Sequence, residues 1–375
     1  MNFSALDHQL MSRALQLAEQ GLYTSMPNPR VGCVIVKNGM VIGEGAHIKA
    51  GEPHAEVFAL RQAGAAARGA TLYVTLEPCS HTGRTPPCAQ AIVDAGIATV
   101  ITAMVDPNPL VAGNGLVFLQ SHNITTASGL MQGQAHALNP GFIARMTRQK
   151  PFVRCKVASS LDGKTALSNG KSQWITSEAA RLDVQHWRAR SCAILTGIGT
   201  VLSDNPRMNV RLDNTTRQPL KVIVDSQLQT PFDSHILLNG DVLIAFVNDP
   251  KQKAGLLGNL GVSLIQIPNA AGKVDLNALL SHLANMQINE VLVEGGEGLN
   301  GALMSENLID ELLIYIAPKL MGNGAKGLFA LPAFSQMQDV IELDFVDIRQ
   351  IGVDIRLRAK PIIKTAFKAE LKPLC

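Results

Sequence analysis

The segment TLEPCSHTGRTPPC, residues 75–88, holds two cysteines, a histidine between them and three prolines. It lies between a strand-like run, ATLYVT, and a helix-like one, AQAIVDAG. Upstream, HAEVFALRQAGAAA opens a second helical pattern at His54, with Pro53 suited to its first turn. A fold that uses these residues together must bring two helix N-termini and one strand-to-helix loop to a single point. His54, Cys79 and Cys88 then supply one imidazole and two thiols. Three such ligands make a catalytic-type zinc site, because the fourth tetrahedral position stays open for water. Helix N-termini suit it, since their unpaired N–H groups and dipole favour thiolates and other anions. Glu56 is spaced to shuttle a proton from water made nucleophilic by the metal. In an ideal helix His54 and Glu56 would point ~200° apart, so both must lie in the first turn, with the metal over the helix end.

H-x-E followed by P-C-x-x-C is the pattern of zinc deaminases that attack an amino-bearing ring carbon. This chain departs from it, because its second cysteine follows Cys79 only after the insertion SHTGRTPP. His81 sits where the closer ligand would be and is the rival for that position. Cys88 is preferred, because two thiolates match the common ligand set and Cys88 has the helix N-terminus. A closed knuckle using His54, Cys79, His81 and Cys88 would leave Glu56 without a role. Cys33, Cys155 and Cys192 lie in apolar strand runs and read as core, and Cys375 as a free thiol.

The chain's 375 residues exceed one ordinary domain and suggest two. A composition 46% hydrophobic and 17% charged is that of a globular protein able to bury cores. With a net charge of +3 and 4% aromatics, there is little material for a nucleic-acid surface. No apolar run is long enough to span a membrane, and Asp7, Arg13 and Glu19 near the N-terminus argue against a secretory signal. A cytoplasmic, reducing setting follows, where paired cysteines mean metal or catalysis more often than a disulfide.

A helix ending at Gly21 precedes a hairpin, VGCVIVKNGMVIGEGAH, turned at Asn38-Gly39. Helix, strand (71–76), the cysteine loop, helix (about 87–95) and strand TVITAMVD follow, then a helix, a short strand and a last helix through about 147. Hairpin first and alternation afterwards implies a sheet with helices on both faces. From KPFVRCKVASSLDGKTA onward strands dominate, at 152–158, 192–197, 221–225, 242–247, 262–267, 289–294, 311–317 and a pair near 342–358. The expected domains are 1–147 and 148–362, with 363–375 as a solvated tail.

In the second half, VLVEGGEGLNGALM contains Gly296-x-Gly298-x-x-Gly301 after a strand. A Rossmann site needs an acid about 20 residues on, closing the next strand, and that strand ends in Pro318-Lys319, so the Rossmann reading fails. Glycines between strand and helix still form a backbone phosphate cradle. A second such turn, LTGIGTVLSDNPRM, offers Gly197 and Gly199 with Thr200 and Asp204. Lys156, in an otherwise apolar strand, either faces a site or points outward at an edge.

HAEVFAL, TLEPCSHTGRTPPC and DPNPLVAGNG resemble the deaminase half of the bifunctional riboflavin-biosynthesis deaminase/reductase family, whose own version of the motif contains the insertion. ASSLDGKTA, SQWIT, ILTGIGTVLSDNP and VEGGEGLNGAL resemble its reductase half. The resemblance covers residues 1 to about 362. It implies an α/β protein with a cytidine-deaminase-like three-layer α/β/α domain and a dihydrofolate-reductase-like domain. The implied activity is deamination of a phosphoribosylamino diaminopyrimidinone, then NADPH-dependent reduction of its ribosyl group to ribityl. Zinc would fall to His54, Cys79 and Cys88, the proton shuttle to Glu56, and the deaminase substrate to Asn28, His47, Arg84 and Thr85. Ala158, Trp174, Thr200, Asp204, Ser226 and Gly296, Glu297, Gly298, Leu299, Asn300, Gly301 and Ala302 would line NADP. Ser172, Arg188, Met208, Arg211 and Glu294 match positions for the reductase substrate, with Lys156 and Asp204 as candidates to manage protons. A small phosphorylated pyrimidine, no nucleic acid or membrane, and a homo-oligomeric state are expected. The alternatives are a nucleoside or tRNA deaminase with a non-catalytic second domain, and a zinc-stabilised binding module.

Overall fold

A computed structural model of the chain describes residues 3–80, 87–109, 111–213 and 215–362. The chain forms two compact units, one running through Pro151 and including Leu283–Asn289, the other made of Phe152–His282 and the chain from Glu290 onward.

The first unit contains α1 (Ala5–Ala18), β1 (Gly32–Lys37), β2 (Met40–Ala46), α2 (Ala55–Ala63), β3 (Thr71–Val74), α3 (Cys88–Asp94) and β4 (Thr99–Thr102). It continues with α4 (Asn114–Ser121), β5 (Thr125–Ser128), α5 (Gln132–Leu138) and α6 (Pro140–Arg148). A capping box starts α1, with Ser4 and Asp7 each satisfying the other's backbone N–H. The β1–β2 hairpin turns at Asn38 (φ 51°) and Gly39 (φ 76°), the paired positive φ that a tight type I′ turn demands. The sheet runs β2-β1-β3-β4-β5, with β1 antiparallel to both neighbours and β3, β4 and β5 parallel.

Two glycines show how close the layers lie. A Cβ at Gly32 would sit 1.9 Å from the Ala14 carbonyl of α1, and one at Gly45 would sit 2.1 Å from the Ala55 carbonyl of α2. Gly45 pairs with Cys33 across the hairpin and Gly32 with Ala46, so the two glycines face opposite sides of the sheet. Helices α1 and α2 therefore cover opposite faces, and Val34, Ile35, Leu72, Val74 and Val100 are fully buried between them.

Two local expectations change. The helix after Pro53 begins at Ala55 with His54 as its N-cap, so Pro53 precedes the helix rather than forming its first turn. The last helix of this half is two, broken between α5 and α6 at Asn139-Pro140. Proline lacks an N–H and disfavours helical backbone in the residue before it. Asn139 uses the break: its Oδ1 accepts the Arg30 N–H at 2.8 Å and its Nδ2 donates to the Arg30 carbonyl at 2.9 Å.

The second unit contains β6 (Phe152–Ser160), α7 (Glu178–Arg190), β7 (Ala193–Gly197), α8 (Ile198–Asp204), β8 (Leu220–Val224), β9 (Val242–Phe246), α9 (Ala254–Asn259) and β10 (Ser263–Gln266). After α10 (Leu276–Asn285), whose residues from Leu283 onward count with the first unit, come β11 (Glu290–Val293), α11 (Glu297–Ser305), β12 (Glu311–Ala317), β13 (Leu343–Ile351) and β14 (Asp354–Pro361). The nine-stranded sheet runs β10-β9-β8-β7-β11-β6-β12-β14-β13, parallel through β12 and antiparallel at the β14 and β13 edge. The buried Arg154 of β6, which sequence reasoning missed, is neutralised by Glu290 at 3.2 Å and Glu311 at 2.7 Å and lies over the Trp187 ring. Among the described residues no helix is long and apolar enough to cross a membrane.

Candidate active sites

The first site lies beyond the ends of β3 and β4, where the antiparallel β1 gives way to parallel strands. As N-cap of α2, His54 has extended backbone (φ −76°, ψ 165°), so its ring leaves the helix end instead of pointing away from Glu56. Glu56 follows in the first turn and is buried. Cys79 comes from the loop after β3, and Cys88 is the first residue of α3. Their ligand atoms all lie within 4.8 Å of one another. His54 Nδ1 is 3.2 Å from the Cys88 sulfur and 3.7 Å from that of Cys79. Tetrahedral zinc, with bonds of about 2.0 Å to nitrogen and 2.3 Å to sulfur, would set such atoms about 3.5 Å apart. The donor set and its spacing therefore fit the metal.

Hydrogen bonding by the Cys88 thiol, with help from His54, holds the Cys79 thiol well below the ordinary range. Burial raises the Glu56 carboxyl to about 7, and the nearby Cys79 adds to the effect. The Oε2 atom of Glu56 is buried with no hydrogen-bond partner among the described residues. Such an orphaned acceptor marks a place where a further group belongs.

A cavity of about 470 Å³ opens here, lined by Asn28, His47, His54, Glu56 and Cys79 among others. The His47 ring is buried, and burial lowers its pKa. His47 Nδ1 lies 3.1 Å from the Pro53 carbonyl, which can only accept. The other nitrogen, Nε2, then accepts from Asn28 Nδ2 at 3.1 Å, which sets the neutral tautomer. His47 also meets the His54 ring edge-on, at 5.2 Å. Arg84, Thr85 and the rival ligand His81 lie outside the described residues, as does Cys375. Cys33 and Cys155 are fully buried, and Cys192 is buried too.

The second site is a cavity of about 1150 Å³ in the second unit. Lys156 of β6, Glu294 at the end of β11 and Arg188 of α7 meet at its wall. Arg188 donates Nε to Glu294 Oε1 at 2.6 Å and Nη2 to Oε2 at 3.0 Å. Lys156 Nζ stands 3.7 Å from the same carboxylate, so it faces the cavity and not an outer edge. Burial raises the Glu294 carboxyl, yet Arg188 and Lys156 more than reverse this and hold it at about 2.

Gly197 and Gly296 are the N-caps of α8 and α11, which follow the adjacent strands β7 and β11. An added Cβ at Gly199 or Gly298 would meet nothing within 4 Å. Their bareness leaves open space beside unpaired helix N–H groups, which suits the phosphates of a dinucleotide. Ala158, Trp174, Thr200, Asp204, Ser226, Gly296, Glu297, Gly298, Leu299 and Ala302 line the cavity with Ser172, Met208 and Arg211. Ser172 reaches Asp204 at 3.4 Å, and the exposed Trp174 ring lies 4.6 Å from the Arg181 guanidinium.

Asn300 and Gly301 are not among the residues that line the cavity, and both are packed against the protein. Asn300 Nδ2 donates to the carbonyls of Gly295 and Leu328, and a Cβ at Gly301 would strike the Ala330 carbonyl at 2.1 Å. The third glycine of the run serves helix packing.

Comparison with known proteins covers both halves. The family described as RibD C-terminal domain matches residues 151–357, and the cytidine and deoxycytidylate deaminase zinc-binding region matches residues 4–104. The riboflavin biosynthesis protein RibD of Escherichia coli is 47% identical over 364 residues, covering 94% of this chain and 98% of the relative. A solved Acinetobacter baumannii RibD is 46% identical with a TM-score of 0.90, covering 96% of this chain and 99% of the other. The solved Thermotoga maritima protein titled a diaminohydroxyphosphoribosylaminopyrimidine deaminase/5-amino-6-(5-phosphoribosylamino)uracil reductase is 33% identical, with a TM-score of 0.85, covering 95% and 99%.

Proposed function

Since the chain belongs to the RibD family, and is thus a bifunctional deaminase and reductase of riboflavin biosynthesis, we propose how its own residues divide the work. His54, Cys79 and Cys88 hold zinc, which when bound makes water a nucleophile at neutral pH. Glu56 Oε2 takes the proton from the attacking water and returns it to the departing amino nitrogen. Asn28, whose amide nitrogen is engaged by His47, offers its carbonyl oxygen to the pyrimidine. Arg84 and Thr85 serve the phosphate, for which a guanidinium fork is well shaped.

In the reductase half the cofactor is NADPH, which supplies the hydride, and the protein's task is orientation. The N-termini of α8 and α11, with Thr200, Ser226 and Gly296–Leu299, receive its phosphates. Arg188, Glu294, Lys156, Arg211, Met208 and Ser172 receive the substrate. Lys156 or Asp204 manages the proton that accompanies opening of the ribosylamine. Both substrates are small molecules, and no nucleic acid or membrane takes part. The free cysteines suit a reducing cytoplasm, and a homo-oligomer is the working form.

The observation that carries this reading is the unpartnered Glu56 Oε2 beside the three gathered ligand atoms. The test is NADPH oxidation, followed by absorbance after adding the diaminopyrimidine ribotide to wild type and to Glu56→Gln. Wild type should consume NADPH and the variant should not, which places deamination first. Equal consumption by both would overturn the order, and none by either would overturn the assignment of the reductase half.

A further inference from the structure

Glu77 is absent from the roles assigned so far, yet it is buried two residues before Cys79 and lines the same cavity. Its carboxylate is saturated by backbone donors from one distant segment. Oε2 accepts the N–H of Asp106 at 3.0 Å and of Gly113 at 2.9 Å. Oε1 accepts from Gly115 at 2.8 Å and Leu116 at 3.4 Å. Gly113 is the N-cap of α4, with a φ of 82° and no side chain to cap with. A remote carboxylate therefore caps this helix, with its charge at the favourable end of the dipole.

The four donors bracket a loop. Asp106 opens it, and Gly113, Gly115 and Leu116 close it. Between them Asn108 and Val111, together with Asp106, line the same cavity as Glu56 and Cys79. The contact leaves no slack, because a Cβ at Gly115 would sit 2.1 Å from the Pro78 carbonyl and 3.1 Å from Glu77 Oε1. The Glu77 N–H also bonds the Met104 carbonyl just beyond β4 at 3.0 Å. Glu77 and Pro78 thus tie the start of the ligand-bearing loop to both ends of this wall, at Asp106 and at Gly113–Leu116.

We propose that Glu77 is a positioning residue for deamination, holding the Asp106 and Asn108 wall in register with the Cys79 ligand. The inference rests on the deaminase reading above. Charge-assisted bonds to four amides are strong and directional, and a displacement of about 1 Å at such a wall can cost on the order of a hundredfold in activity.

The test uses the full-length zinc-loaded protein and the isosteric Glu77→Gln, which turns an NH2 group toward two N–H donors. Ammonia release should show KM for the diaminopyrimidine ribotide raised about tenfold or more, with a smaller fall in kcat. Bound zinc and NADPH oxidation with the deaminated pyrimidine should stay at wild-type levels. Asn108→Ala, on the partly exposed wall itself, should raise KM alone and add little in the Glu77→Gln background, as expected for groups acting through one element. Loss of zinc in Glu77→Gln would overturn the proposal in favour of a role in presenting Cys79. Unchanged kinetics in either single variant, or full multiplication of the two effects, would overturn it as well. Should wild type release no ammonia, the deaminase reading fails and takes the inference with it; an active wild type matched by Glu77→Gln removes the inference alone.

Discussion

Arg188 clasps Glu294 through two near-parallel hydrogen bonds, Nε to Oε1 at 2.6 Å and Nη2 to Oε2 at 3.0 Å, at the wall of the larger cavity. Both groups are almost wholly buried, and Lys156 approaches the same carboxylate. Two cations on one carboxylate leave this corner net positive, which suits an anionic substrate, and the arrangement makes a pH-dependent contribution to stability.

The Glu294 carboxyl is held at about 2, below its unfolded value. Its contribution is therefore complete above about pH 4.5 and is lost as pH falls through the folded value. Both tryptophans, Trp174 and Trp187, lie in the second unit, so their fluorescence reports its unfolding. Arg188→Ala should lower that unit's stability by about 3 kcal/mol at pH 7, because it strands a buried carboxylate. The deficit should shrink between about pH 4.5 and 2. A deficit that stays constant over this window would show that packing, not charge, is what Arg188 contributes.

Cys79→Ser and Cys88→Ser should each lose bound zinc and ammonia release together. Strong chelation of the wild type should do the same, reversibly on adding zinc. NADPH oxidation with the deaminated pyrimidine should survive in both variants, since every residue of the larger cavity lies in the other unit. Loss of both activities in a folded variant would contradict two separate sites.

Gly298→Ala and Gly301→Ala should behave oppositely. An added methyl at Gly298 meets only open space, so the fold should hold or gain up to ~1 kcal/mol from helix propensity. KM for NADPH should rise, which initial rates will show. At Gly301 the methyl meets the Ala330 carbonyl, and a loss of about 1–3 kcal/mol is expected in thermal unfolding.

Asn139→Leu should destabilise the first unit. It removes the partner of the Arg30 N–H and carbonyl, both bonded to the Asn139 amide at this buried break, at about 1–3 kcal/mol per group. Zinc retention against temperature is the readout. Asn139→Asp should recover only part, since it keeps one acceptor and loses the donor. Equal stability of the leucine variant and wild type would refute this account of the helix break.

Local chemistry was legible in the chain itself. Asn38-Gly39 dictates a tight hairpin because few other residues tolerate two positive φ angles in succession. The nine strands of the second half follow from apolar runs bounded by turn residues, and the spacing of His54, Glu56, Cys79 and Cys88 announces metal chemistry. What could not be read was any property set by partners remote in the chain. His54 and Glu56 converge only because His54 is the N-cap with extended backbone, whereas periodicity treats both as helical. Lys156 faces inward because Glu294, far along the chain, awaits it. Asn300 and Gly301 belong to the glycine motif by position, but that Ala330 and Leu328 pack against them was not visible in it. Glu77 looks like any loop acid until β3 and β4 pair in parallel and deliver four amides to it. Turn and helix-start preferences are local energies, so the sequence alone determines them. Burial, charge pairing and the direction of a side chain depend on which distant segments the sheet brings alongside, and only the tertiary structure decides that.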